Sequence, residues 1–377
     1  MQMRPNISRR SFVTTGAVAA VAGGAALLFP RQTSGLAALE RLGRTAVQLK
    51  AAPAAAPLGG STGPDVKVWA YNGTVPGPEI RAQQGDRLRV TIENGLEEET
   101  TIHWHGVRVP NAMDGVPHLT QKPIPPGGNF TYEFDLHDAG TFWYHPHQRS
   151  FEQVGRGLYA PLIVEEKRPI KVDRDLTWVL DDWRIDSSGQ ISGGFGNHHD
   201  SMMAGRVGNT VTINGRVPEP LEVRSGERVR LRLINAANAR IFALNFEGHR
   251  PSVIAIDGQP VRPHEPNGPI LVGPAMRVDL VLDMMGRPGS GSRVTDDFYK
   301  GLEYALAEIV YTTSPLRAAQ LATSIELPAN PLREPQLTGA ARHEVVFGGG
   351  MMGMMSGGGM MQGGMMGGGM GGMMGWT

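Results

Sequence analysis

One stretch of this chain is written twice, and that repeat constrains the fold more than any other feature. Asn72-Gly73-Thr74-Val75-Pro76 leads through Gly85-Asp86-Arg87-Leu88-Arg89-Val90 to Asn94. Asn214-Gly215-Arg216-Val217-Pro218 then leads through Gly226-Glu227-Arg228-Val229-Arg230-Leu231 to Asn235, with intervals that agree to within one residue. The text around the first copy is strands and turns. Val66–Tyr71, Asp86–Ile92 and Phe130–Phe134 alternate with period two, and Leu158–Val164 reads as a buried apolar strand. The repeat predicts an all-β chain with two copies of one β-sandwich unit, at 64–166 and 167–315. The 51 Gly and 28 Pro fit a fold rich in turns.

Two short histidine pairs in the first copy carry the chemistry: His103-Trp104-His105-Gly106 and His145-Pro146-His147. On a strand, His-x-His turns both imidazoles to one face. β-branched and aromatic residues run into each pair, Thr100-Thr101-Ile102 into the first and Gly140-Thr141-Phe142-Trp143-Tyr144 into the second. Neighbouring strands can thus present four neutral imidazoles to one spot, a donor set that suits copper, zinc, iron or nickel. The second copy provides a control. Counting on from each repeat Asn, His103 and His105 correspond to Leu244 and Phe246, so the histidines belong to a site and not to the architecture. His118, His137, His249, His264 and His343 stand singly and read as structural or solvated. His198-His199, next to Met202-Met203 in a Gly-rich stretch, form a weak surface candidate for copper.

Composition narrows the function. Lys plus Arg and Asp plus Glu are both 36, so no basic field exists for nucleic acid. The chain has no cysteine, which excludes disulfides, thiolate zinc sites, iron–sulfur clusters, cysteine nucleophiles and any blue-type copper centre. Ser8-Arg9-Arg10-Ser11-Phe12-Val13, ahead of an Ala/Gly/Val-rich stretch from Thr14 to Phe29, looks like a twin-arginine export signal over 1–35. The stretch is short and Gly-rich for a membrane span, and no stable span is expected after processing. Residues 36–63 read as a flexible leader, with a possible short helix over Leu36–Leu49, and 316–347 as a Pro/Ala-rich linker. Residues 348–375 are almost entirely Gly and Met. Thioethers such as those of Met351, Met352, Met354, Met355, Met360, Met361, Met365 and Met366 select Cu(I) over harder ions, and the bland alternative is a low-complexity spacer.

With these motifs in hand, the chain resembles the multicopper oxidases. His-Trp-His-Gly and Ala139-Gly140-Thr141-Phe142-Trp143-Tyr144-His145-Pro146-His147 look like the first two of that family's four copper-binding motifs. The resemblance covers about 64–315 and implies two tandem cupredoxin-like Greek-key domains. It further implies that His103 binds a type-2 copper and that His105, His145 and His147 bind two type-3 coppers, His105 and His145 sharing one ion. Asp114 would stand where the family keeps an acidic residue that assists proton delivery to oxygen, although a turn Asp before Gly115 is its simpler reading. Trp104 and Tyr144 read as packing residues.

The family's other two motifs are missing, and with them half of the cluster's ligands and the whole type-1 site. The expectation is therefore an exported, periplasmic multicopper oxidase seen as its N-terminal two-thirds, with Trp376-Thr377 as the start of a third domain. It would couple one-electron oxidation of a phenolic or Cu(I) reductant to reduction of dioxygen to water, and this chain alone would not turn over. The alternative is a non-catalytic periplasmic copper-sequestering protein. Zinc is not excluded by the imidazoles alone.

Overall fold

The computed structural model describes residues 44–60, 63–333 and 335–345. The export-signal reading, the leader up to residue 43 and the Met/Gly tract with Trp376-Thr377 lie outside them. Strands β1 (Arg44–Ala56), β2 (Val66–Tyr71), β3 (Ile80–Gln83), β4 (Arg87–Asn94), β5 (His103–His105), β6 (Asn129–Asp135), β7 (Gly140–His145) and β8 (Ala160–Glu165) make two sheets. Their orders are β2-β1-β4-β6 and β3-β8-β7-β5. The next strands are β9 (Arg174–Trp183), β10 (Thr210–Ile213), β11 (Leu221–Val223), β12 (Glu227–Asn235), β13 (Phe242–Phe246) and β14 (Ser252–Ile256). They are followed by β15 (Gln259–His264), β16 (Ile270–Val272), β17 (Arg277–Met284), β18 (Gly291–Asp296) and β19 (Tyr304–Tyr311). These make sheets β10-β9-β12-β17-β14-β15 and β11-β19-β18-β13-β16.

The repeat seen in the sequence is a repeat of topology. β1 pairs parallel with β4 and antiparallel with β2, as β9 does with β12 and β10. β8 joins β3 in parallel and β7 antiparallel, as β19 joins β11 and β18. The result is two cupredoxin-like sandwiches, the second extended by β14–β15 on one sheet and β16 on the other.

The Asn residues that recur in both copies of the repeat do the same work in each. Asn72 and Asn214 both take positive φ in the turn, and each side chain bonds the first strand of its own sandwich. Asn72 accepts from Lys50 N and donates to Gln48 O, while Asn214 accepts from Val179 N and donates to Thr177 O. Asn94 and Asn235 end the next strand and are fully buried. Each Nδ2 donates to two carbonyls (Glu98 and Ile124, Arg240 and Val272), and each Oδ1 receives the N–H two residues on.

β1 corrects the reading of 36–63 as a flexible leader with a helix over Leu36–Leu49. Residues 44–56 are an interior strand of the first sheet, so the first sandwich starts well before residue 64. Its Ala-rich, Pro53-containing text has weak strand propensity. Pairing to β4 over 44–51 and to β2 over 51–56 overrides that, and Val47, Leu49 and Ala51 turn inward on alternate positions. Pro53 is tolerated because it lies past Ala51, where pairing to β4 has ended.

Each sandwich has its own apolar core, one centred on Leu88, Val90, Trp104, Phe134, Tyr144 and Leu162, the other on Leu231, Leu233, Phe242, Leu244, Leu280 and Val294. A third cluster joins residues of both copies, including Val66, Trp143, Tyr159, Val179, Trp183 and Ile234. Beside this apolar seam lies an ionic one. Arg230 bonds Glu166 and Asp279, and Arg232 bonds Asp175, Asp279 and the Thr141 hydroxyl. The stretch read as a linker is packed across the second sandwich. Leu321 and Thr323 carbonyls accept from Arg228, Leu327 joins an apolar cluster, and Asn330 pairs with Ala139 N and O. Among the described residues, no helix is long and apolar enough to cross a membrane.

Candidate metal centre

β5 is three residues long and pairs antiparallel with β7 in the register His103 to His145, Trp104 to Tyr144 and His105 to Trp143. Trp104 and Tyr144 turn into the core, where Trp104 meets Tyr132 and Phe134 edge-on, with ring centroids 5.5 and 5.1 Å apart. Tyr144 also donates its hydroxyl to Pro78 O. This anchoring leaves the opposite face of both strands to His103, His105, Trp143 and His145. One nitrogen from each of His103, His105 and His145 falls within 4.8 Å of the others. His147, just past β7, brings its ring to 4.5 Å from that of His103 and 5.5 Å from that of His145. Its own N–H is held by the Thr101 hydroxyl. The structure thus brings together all four predicted imidazoles.

Hydrogen bonds orient the rings. His103 Nδ1 donates to the Asp114 carbonyl at 2.8 Å, and His145 Nδ1 to the Pro146 carbonyl at 3.0 Å, so each keeps an Nε2 lone pair for a metal. His105 Nδ1 lies 3.2 Å from His145 Nε2. Two nitrogens at about 2.0–2.1 Å from one tetrahedral ion sit roughly 3.3 Å apart, so this pair fits a shared ion. Trp143 stacks on both rings, 4.0 Å from His145 and 5.1 Å from His105.

Electrostatics favour the neutral form of His105, His145 and His147. Burial, then the Arg277 guanidinium and the neighbouring imidazoles, push His105 down to about 3. Burial and the neighbouring imidazoles hold His145 well below the ordinary histidine range, and burial with His103 lowers His147. Neutral, desolvated and convergent nitrogens are what a transition metal requires, since a protonated imidazole has no lone pair on that nitrogen.

Asp114 follows a single 3-10 turn, Asn111–Met113. Its carboxylate Oδ1 is 3.4 Å from His103 Nδ1, but the closer contact is through its main-chain oxygen. Gly115 has φ +77°, and a Cβ there would overlap the Ile102 carbonyl; the glycine lets this loop lie flat against the entry to β5. Gly106, the last residue of His-Trp-His-Gly, has φ +85° and makes room for Arg277, which reaches in from β17 of the second sandwich. The Arg277 guanidinium bonds Asp257 O, Ala275 O and Thr141 O. Residues 236–238 and 274–275 of the second sandwich face His105, Trp143, His145 and His147 across a cavity of about 310 Å³.

Sequence reasoning missed Trp143 as a plate under two of the imidazoles, Arg277 as a neighbour, and the Asp114 carbonyl as an orienting group. The first was accessible: in an antiparallel register that sets His103 opposite His145, Trp143 must face His105. In the second copy β13 pairs with β18 as Leu244 to Asp296 and Phe246 to Val294. The position of His103 there holds leucine, that of His105 phenylalanine and that of His145 aspartate.

Two family models described as multicopper oxidase match consecutive stretches, residues 55–169 and 174–290. A crystal structure of a multi-copper oxidase from Pseudomonas thermotolerans is 38% identical, with a TM-score of 0.72 over 78% of this chain and 69% of that one. The chain belongs to the multicopper oxidases. Lac15 from a marine microbial metagenome is likewise 38% identical, with a TM-score of 0.67, covering 78% of this chain and 73% of its own. Multicopper oxidase MmcO of Mycobacterium tuberculosis is 35% identical over 74% of this chain and 62% of its own length. For copper resistance protein A of Pseudomonas syringae pv. tomato the values are 32%, 70% and 50%. The chain therefore spans between half and two thirds of these curated relatives. Membership of the multicopper oxidases implies copper as the cofactor, and the four convergent imidazoles fit it.

Proposed function

We propose that this chain is the copper-binding N-terminal part of an exported multicopper oxidase. The observation that carries the proposal is the convergence of His103, His105 and His145 nitrogens within 4.8 Å, with His147 alongside. His103 is assigned to a type-2 ion, His105 and His145 to one type-3 ion, and His147 to the second type-3 ion. When bound, copper supplies one-electron redox chemistry and the reduction of dioxygen to water. The chain's own residues orient and desolvate. Asp114 and Pro146 carbonyls fix which nitrogen of His103 and His145 faces inward. Trp143 and the second sandwich exclude water from the ligands, and the Asp114 carboxylate is placed to hold a proton beside His103. The proposed reductant is a phenol or Cu(I), and the tract around Met351–Met374 leans towards Cu(I). Periplasmic localisation through the twin-arginine motif is part of the same proposal.

A second reading, a copper-binding protein without turnover, is favoured by the lack of any cysteine for a type-1 ligand in this sequence. One experiment separates the two and tests both: Cu(II) titration of the purified chain followed by oxygen uptake with a phenol or Cu(I). Binding that is lost in a His105→Ala, His145→Ala double variant supports the cluster, and unchanged Cu(II) content in that variant refutes it. Oxygen uptake by the chain alone would overturn the expectation that it needs the missing type-1 site.

A further inference from the structure

Among the described residues, the stretch 193–206 holds metal-donor side chains that the imidazole cluster does not use. We propose that His199 and Met203 form a surface site for Cu(I) beside the mouth of the imidazole cavity. The choice of copper as the ion rests on the copper reading of the cluster; the site itself does not.

The short helix His198–Met202 sets the spacing. Residues four apart share a helix face, with Cβ atoms about 5–6 Å apart, and long side chains lean back towards the N-terminus. Met203 N donates to His199 O at 3.1 Å, which sets the two residues one helical turn apart. Both side chains are exposed, Met203 to 59%, and neither the His198 nor the His199 ring makes a hydrogen bond. An imidazole nitrogen and a thioether sulfur together favour a soft monovalent ion over calcium, magnesium or manganese.

The segment is held in place. Asn197 Oδ1 caps Asp200 N at 2.9 Å, and Arg184 binds the Asp200 carboxylate at 3.0 and 3.1 Å. Phe195 lies between the guanidinium groups of Arg206 and Arg156, at 4.0 and 5.0 Å, and Arg156 covers Trp69. Its position ties it to the cavity. Gly196 packs on the Phe151 ring, Gly155 on the Phe195 ring, and Asn238 Nδ2 bonds Phe151 O. Phe151 and Asn238 both line the space in front of His105, His145 and His147. The segment that carries His199 and Met203 is therefore packed against residues that line this cavity.

The test is a methyl-labelled methionine spectrum of the full chain, titrated with Ag(I) as a redox-inert probe and with Cu(I) under anaerobic conditions. The Met203 resonance is assigned with Met203→Leu. It is expected to shift with both ions, and His199→Ala is expected to weaken the shift roughly tenfold or more, whereas His264→Ala leaves it unchanged. A Met203 resonance that stays put while the methionines of 351–374 move overturns the proposal, as does a shift indifferent to His199→Ala. A shift with Ag(I) but not Cu(I) overturns the assignment to copper. If Met203 responds while Cu(II) content ignores the His105→Ala, His145→Ala variant, the cluster reading fails and this site stands.

Discussion

At the residue scale, the imidazole face depends on side chains that never touch a metal. Gly115 lets the 111–117 loop close on β5, which puts the Asp114 carbonyl on His103 Nδ1. Gly115→Ala meets both a main-chain overlap and a left-handed φ, and is expected to destabilise the chain by at least about 1–3 kcal/mol. Urea unfolding measures the loss, and Cu(II) affinity should fall with it because His103 loses its orienting partner. Asn94 and Asn235 offer a paired test. Each leaves two carbonyls and one N–H without a partner when cut to alanine, at about 1–3 kcal/mol per buried group. Asn94→Ala and Asn235→Ala should therefore lower stability by similar amounts, and only Asn94→Ala should disturb copper binding. The Asn residues were legible because both copies spell them; the role of Gly115 was not, since nothing in Asp114-Gly115 says which carbonyl lies opposite.

At the scale of elements, β1 is the strand that composition hides. It pairs with β4 over 44–51 and with β2 over 51–56, and Leu49 is 3% exposed. Leu49→Ala is expected to remove about 2–5 kcal/mol, seen as a lower urea midpoint; an unchanged midpoint would return 44–56 to the status of a leader. β9 carries a prediction about pH. The Arg317 guanidinium, bonded to Asp173 just before β9, holds that carboxyl down at about 2. A carboxyl lowered by folding stabilises the folded state above the ordinary value of about 3.9, and that contribution disappears as pH falls towards 2. Arg317→Gln should lower stability at neutral pH, and the gap between variant and parent should close between about pH 4 and pH 2 in an acid-unfolding series. The helix read over Leu36–Leu49 fails over its described part, 44–49, which pairs with β4, because pairing outweighs intrinsic propensity.

At the scale of the molecule, the two sandwiches are one unit around the site. The same alternating text gives opposite burial in the two copies. Arg87 and Arg89 of β4 lie at the surface with Glu133, whereas Arg228, Arg230 and Arg232 of β12 are buried against acidic partners of the seam and the strap formed by 320–327. Breaking such a pair leaves a buried charge, so Asp279→Ala is expected to be severely destabilising. In the proposed site, metal would join β5 to β7 and bind only the folded arrangement. At a free Cu(II) concentration one hundred times its dissociation constant, the chain should gain about 2.7 kcal/mol. Stripping the ion with a chelator should reverse the gain, and the His105→Ala, His145→Ala variant should not show it.

The linear text by itself determined that the chain is all-β, that it repeats one unit, and that two His-x-His pairs of the first copy turn to one face. These features are local or periodic: strand alternation, turn residues and His-x-His all act within a few neighbours. The tertiary structure alone decided that an Ala-rich stretch becomes an interior strand, that a linker becomes a strap, and that Arg277 of one sandwich fills the space left by Gly106 of the other. Such choices depend on which surfaces meet, and distant segments reveal their partners only when packing brings them into contact.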